Sequence, residues 1–207
     1  MAKPSNKIGN KTNAAKPSSK NNALYQLKVS LVGAKPAIWR RVNVQNKLTL
    51  AQLHEVLQVV MGWEDCHLHS FTVQGQTFSD ADTCENIEAF RDESKVTLAE
   101  VLQQVKDQMS YEYDFGEGWE HLIVLEKILP VTLSQPLAEV LVGEGACPLE
   151  DIGGLDGWYY FLDVIAHPDS EEYQDEEHQQ MCEWVEEGFN PRFYDVKAVN
   201  KVLGLGF

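Results

Sequence analysis

Apolar and polar residues alternate with a period of two over YQLKVSLVG (25–33) and again over IWRRVNV (38–44), with a turn at 33–36 between them. Alternation of this kind marks strands with one buried face. The period then changes. Leu50, Leu53, Leu57 and Val60 recur at helical spacing behind Thr49-x-x-Gln52, and Gly62 supplies a stop. Thr49 and Gln52 form a capping box, which satisfies the free N–H groups that open a helix. HLHSFTV (67–73) and a short TF segment predict a hairpin about Gly75, followed by a polar loop. A second capping box, Thr97-x-x-Glu100, predicts a short helix through Val101, Leu102 and Val105. MSYEYDF (109–115) and WEHLIVLEKIL (119–129) predict two strands around Gly116-Glu117-Gly118. Residues 130–157, with Pro130, Pro136, Pro148 and five glycines, read as irregular. WYYFLDVIAH (158–167) predicts a helix ended by Pro168, an acidic helix covers roughly 171–187, and DVKAVNKVL closes the pattern after an Asn190-Pro191 turn. Strands followed by helices, without strict alternation, imply an α+β fold: a mostly antiparallel sheet with packed helices and a helical C-terminal third.

The most unusual stretch is YEYDFGEGWEH (111–121). A hairpin closed at 116–118 sets Phe115 against Trp119, Tyr113 against His121 and Tyr111 against Ile123. One face is then aromatic and aliphatic: Tyr111, Tyr113, Phe115, Trp119, His121, Ile123 and Leu125. The other holds Glu112, Asp114, Glu120, Leu122 and Val124, with Asp114 opposite Glu120. Like charges so placed repel by roughly some tenths of a kcal/mol, and a cation is expected to relieve them. Arg40 shares a strand face with Ile38, Val42 and Val44, whereas Trp39 and Arg41 point the other way. The planar arginine fork suits a carboxylate. Arg40 or Arg41 is therefore expected to pair with an acid of the 112–120 hairpin, either as an architectural lock or as a polar site at the end of the sheet.

Composition narrows the class. The 207 residues suit one domain with a tail, and the formal net charge is −15. Residues 1–23 hold five lysines and no acid, leaving 12 basic against 32 acidic residues for the remainder. With Ile8 its only large aliphatic residue, the 1–23 segment is expected to be a disordered basic tail, and 24–207 a single domain. Such an acidic body repels nucleic acid, except weakly at the N-terminal lysines, and favours a basic protein or peptide partner. No apolar run is long enough to span a bilayer, and the N-terminus has no apolar signal core. Cys66, Cys84, Cys147 and Cys182 are scattered, as in a reduced, cytoplasmic protein.

His67 and His69, two apart on a predicted strand, share a face with Phe71 and Val73. They form a workable metal pair that His54, His121 and Asp114 could complete. Half-buried histidines bonded to the main chain are the alternative, and no metal or cofactor is assigned. Glycines 143, 145, 153, 154 and 157 precede a helix. A phosphate cradle there conflicts with Glu150, Asp151 and Asp156, which are expected to take those N–H groups themselves. There is no phosphate-loop lysine motif and no nucleophile elbow. The nine acids of 169–187 read as the solvated face of a helix whose inner side is Met181, Trp184 and Val185, or as a docking surface for a basic partner.

Six segments in order resemble the plasmid pRiA4b ORF-three-like family: YQLKVSL, P-x-IWRRV, LTLAQLHEVLQVVMGWEDCHLHSF, YEYDFGEGWEH, CPLEDIGG and FNPRFYD. The resemblance covers about 24–203 and implies an α+β domain found on plasmids, in transposon passenger genes and on bacterial chromosomes. Two departures stand out. Leu149 and Ile152 replace the family's second proline and second cysteine, which leaves Cys147 alone on that loop. Asn190 replaces an aspartate, which removes any essential role for that acid here. The candidate polar site is Arg40, Arg41, His67, His69, Asp114, Glu117, Glu120 and His121, with Glu150 and Asp151 on the following loop. The leading expectation is a binding or accessory module. The alternative is a metal-assisted hydrolase or nucleic-acid-processing enzyme using the Asp114/His121 and His67/His69 region.

Overall fold

A computed structural model describes residues 22–132, 134–173, 175–183, 185 and 189–204, with the side chain of Glu177 set aside. The expected tail at 1–23 lies almost wholly outside these residues, as do Trp184, Glu186 and Glu187. Within the described residues eight strands form one mixed sheet: β1 (Ala23–Leu31), β2 (Trp39–Gln45), β3 (His69–Val73), β4 (Gln76–Ser79), β5 (Phe90–Asp92), β6 (Gln108–Tyr113), β7 (Trp119–Pro130) and β8 (Ala138–Glu144). Their order is β5-β4-β3-β6-β7-β1-β2-β8. Every neighbouring pair is antiparallel except β4–β5, which is parallel. Among the described residues six helices accompany it: α1 (Leu50–Met61), α2 (Ala81–Asn86), α3 (Leu98–Val101), α4 (Gly154–Ala166), α5 (Glu176–Glu183) and α6 (Val196–Leu203). The fold is α+β.

The alternation read from β1 and β2 becomes the inner face of the sheet: Tyr25, Leu27, Val29 and Leu31 from β1, and Arg40, Val42 and Val44 from β2, are buried. α1 lays Leu50, Leu53, Val56, Leu57 and Val60 into the same core, each fully buried. Both capping boxes form, with Thr49 N–H donating to Gln52 and Thr97 N–H to Glu100. Gln74 and Gly75 both take positive φ in the β3–β4 turn, as a two-residue hairpin of matching twist requires. α6 lies along β8, where the Asn200 side chain accepts from Val140 N–H at 2.7 Å and donates to Val140 C=O at 2.8 Å.

Several expectations need correction. The polar loop after β4 contains α2, capped by Asp80, and the short strand β5. The irregular stretch 130–157 contains β8, so the last third is helical only in part. α3 ends at Val101, and Val105 is exposed. The acidic helix is broken into a 3₁₀ turn, Glu171–Tyr173, and α5. The β6–β7 register differs by two residues: Tyr113 faces Trp119, Tyr111 faces His121, and Glu112, not Asp114, faces Glu120. The cause is a longer turn. Asp114 leaves the strand at φ 55, its C=O accepts from Gly118 N–H at 2.7 Å, and Phe115 stays exposed. A shift of two preserves side-chain parity, so the expected aromatic face survives without Phe115.

Candidate functional site

Titratable and aromatic side chains converge where α1 crosses β3, β6 and β7. His54 and Gln58 lie one turn apart on the buried side of α1. Gln58 Nε2 donates to the Tyr111 hydroxyl at 3.0 Å, and that hydroxyl lies 2.8 Å from His54 Nδ1. The tyrosine proton therefore points to Nδ1, and the neutral imidazole keeps its own proton on Nε2 for Asp65, 2.7 Å away. Burial, reinforced by neighbouring His69, lowers the His54 pKa. The His54 ring stacks on His69 at 3.5 Å. His69 Nε2 in turn lies 3.0 Å from both oxygens of Glu93, which arrives from the 3₁₀ turn after β5.

The next layer outward is held by Tyr113 and Glu150. The Tyr113 hydroxyl donates to Glu150 and accepts from Cys66 N–H at 3.1 Å. Desolvation first, then that carboxylate, pushes the hydroxyl far above its ordinary range. Glu150 also accepts from Glu64 N–H at 3.1 Å. Trp63 stacks on Tyr113 at 4.8 Å and donates to the Pro148 carbonyl at 3.1 Å. Loops 63–68 and 147–153 are thus fastened to the end of β6. Burial raises the Cys147 thiol well above its usual value, the direction that disfavours a thiolate.

At the rim, the 114–118 turn meets both loops. Asp114 Oδ1 accepts from Gly116 N–H at 2.9 Å and Glu117 N–H at 3.4 Å. Its Oδ2 lies 3.8 Å from His67 Nε2, and Asp151 Oδ1 lies 3.4 Å from the same nitrogen. A cleft of about 430 Å³ opens here, lined by Asp65, Cys66, His67, Leu68, Asp114, Phe115 and Gly116. Glu117 accepts the Gly153 N–H at the start of α4, a role the sequence had suggested for Glu150, Asp151 or Asp156. A Cβ on Gly154 would sit 2.9 Å from the Glu117 carbonyl, so turn and helix approach as closely as glycine permits.

The structure thus gathers His67, Asp114, Glu117, Glu150 and Asp151 at one end of the sheet, with His69 just beneath. The remaining candidates, Arg40, Arg41, Glu120 and His121, lie elsewhere. His67 precedes β3 and does not share a strand face with His69. His121 is fully buried, packed edge-on to Trp63 at 5.3 Å, and neither ring nitrogen makes a hydrogen bond. Glu120 is exposed on the outer face. The expected pairing of an arginine with the hairpin acids does not occur. Arg41 binds Glu126 through Nε at 2.6 Å and Nη2 at 2.9 Å. The register shift between Gln26 and Leu27 accommodates Glu126 as an extra residue in β7. Arg40 uses no carboxylate: Nε donates to Val60 C=O at 3.0 Å, and Nη1 donates to Trp39 C=O at 3.0 Å and Glu144 C=O at 2.8 Å. Its guanidinium lies 3.6 Å from the Tyr194 ring centroid. The end of α1 and the edge of β8 offer carbonyls close by, which no pairing rule based on charge reveals. Sequence reasoning missed Trp63, Asp65 and Cys66, which sit in the GWEDCHLH run beside the flagged histidines. It also missed Glu93, for which no local signal exists.

With this geometry in hand, three comparisons bear on the chain. The family model described as plasmid pRiA4b ORF-3-like protein matches residues 23–198. The uncharacterized protein y4hQ of Sinorhizobium fredii is 35% identical over 164 residues, 78% of this chain and 80% of that protein. The crystal structure of the protein of unknown function MM3350 from Methanosarcina mazei Go1 is similar with a TM-score of 0.72 and 31% identity, over 86% of this chain and 97% of that one. The match spans the whole sheet and every loop of the site, and the chain belongs to the plasmid pRiA4b ORF-3-like family.

Proposed function

We infer that this protein is a binding or accessory module that engages a basic protein or peptide. One observation carries the reading: the titratable groups packed between α1, β3 and β6 are consumed by one another. Both His54 nitrogens, His69 Nε2 and the Tyr113 hydroxyl are each committed to an internal partner. Groups so paired give rigidity; a general base needs a free face toward substrate. The choice of partner rests on charge. The body is strongly acidic, and Asp163, Asp169 and Glu172 line a cleft of about 410 Å³ beside the C-terminal end of α4. The plasmid in the family description supports a link to mobile genetic elements. Among the described residues no helix is long and apolar enough to cross a membrane. The test is affinity capture across a salt series with wild type and an Asp169→Asn/Glu172→Gln variant. A partner retained by wild type and lost by the variant is expected; no retained partner at any salt concentration counts against the reading.

The second reading, a metal-assisted hydrolase or nucleic-acid-processing enzyme, is favoured by the His67–Asp114–Asp151 group at the cleft. Screening phosphoester and peptide substrates with and without divalent cations separates it from the first.

A further inference from the structure

We propose that His67, Asp114 and Asp151 form a binding site for one first-row divalent metal ion, such as Zn²⁺ or Mn²⁺. The inference does not rest on the binding-module reading, since an ion held here could order the loops or contact a partner, and it deepens the metal-assisted reading, which needs such an ion. The sequence offers His67 with His69 as a metal pair that Asp114 could complete; here Asp114 and Asp151, not His69, lie near His67 Nε2.

The donor set is mixed, one imidazole nitrogen and two carboxylates, a combination that suits borderline divalent ions. Its atoms lie within 4.8 Å of one another. For bonds of about 2.1 Å, neighbouring ligands of a tetrahedral ion stand about 3.4 Å apart. His67 Nε2 lies 3.4 Å from Asp151 Oδ1 and 3.8 Å from Asp114 Oδ2. These separations are long for hydrogen bonds and suitable for ligands around a shared cation. Two groups lack the partners that an ion would supply. His67 Nε2 is buried and makes no hydrogen bond. Asp114 is only 7% exposed, and the hydrogen bonds to it from the turn end on Oδ1, leaving Oδ2 facing His67. The same turn N–H groups fix the carboxylate plane, the orienting role that outer-shell partners play at metal centres. Asp151, largely exposed, leaves the opposite side open to the cleft.

Two neighbouring donor groups make poorer sites. In the His54, Asp65 and His69 group, His54 Nε2 already bonds Asp65 and His69 Nε2 bonds Glu93. In the Cys66, His67 and Glu150 group, Glu150 is occupied by Tyr113 and Glu64 N–H.

The experiment is calorimetric titration of chelator-treated, full-length protein with ZnCl₂ and MnCl₂, alongside Asp114→Asn, Asp151→Asn and Asp65→Asn. Asn tolerates the positive φ of both loop positions and keeps the turn acceptor of Asp114. Saturable binding of one equivalent is expected for wild type. Asp114→Asn and Asp151→Asn should each weaken it roughly tenfold or more, with metal-free thermal midpoints unchanged, whereas Asp65→Asn should bind as wild type does. Absence of saturable binding overturns the proposal, as does wild-type affinity in both loop variants or an equal loss in Asp65→Asn. A thiolate charge-transfer band in the cobalt(II) derivative would place the ion on Cys66 and overturn the assigned ligands.

Discussion

The imidazoles of His54 and His69 lie face to face, 3.5 Å apart and 3° from parallel, and each turns Nε2 to a different carboxylate, Asp65 and Glu93. The two rings couple α1 to β3, and the carboxylates tie them to the loop after α1 and to the 3₁₀ turn after β5. His69 and Glu93 are both nearly buried, so their pairing is far more consequential than a surface contact.

Glu93→Ala should therefore destabilise the protein by about 3 kcal/mol, because the polar His69 ring stays buried without its acceptor. Urea unfolding of the variant against wild type measures this.

Burial takes the His121 imidazole down to about 4, with Arg40 adding to the effect. Its folded pKa is thus below the unfolded one, near 6.5. Between these values the unfolded chain binds more protons, so this contribution is complete above about pH 6.5 and is lost as pH falls toward 4. Its size is about 3 kcal/mol. His54, shifted the same way, adds to it. Thermal midpoints from pH 7.5 to 4.5 should fall less in His121→Leu than in wild type.

The two adjacent arginines should behave differently. Arg40→Lys loses a fork that reaches three carbonyls and a ring at once, and should cost about 3 kcal/mol in chemical unfolding. Arg41→Ala breaks a half-exposed pair with Glu126 and should cost no more than about 1 kcal/mol, less at high salt.

Gly154→Ala should destabilise by about 2 kcal/mol, since φ is 69 and a methyl would press on the Glu117 carbonyl. Solvent exchange at the Gly153 amide should speed up in the same variant, as the bond to Glu117 loosens.

The elements most readable from sequence are those with a local cause. The capping boxes at Thr49 and Thr97, the alternation of β1 and β2, and the helical spacing of Leu50 to Val60 each appear in the structure where the pattern puts them. Asp114 was harder. Its neighbourhood was evident, but its departure into a left-handed turn moved the hairpin by two residues and replaced Glu120 with His67 as its neighbour. Glu93 was invisible, because its meeting with His69 depends on β5 joining the sheet through a three-residue parallel contact. Arg40 escapes the charge-pairing expectation because its Nε and Nη1 donate to the carbonyls of Trp39, Val60 and Glu144. A sequence shows which side chains carry charge; it does not show which main-chain oxygens the fold will leave within reach.

Asn200 has a consequence for assembly. Its amide occupies both outward-facing main-chain groups of Val140, standing in for the neighbour that a terminal strand would otherwise recruit. Growth of the sheet past β8 is blocked at that residue by a single side chain. At the opposite margin β5 is only three residues long, a short edge that gives little purchase to an added strand.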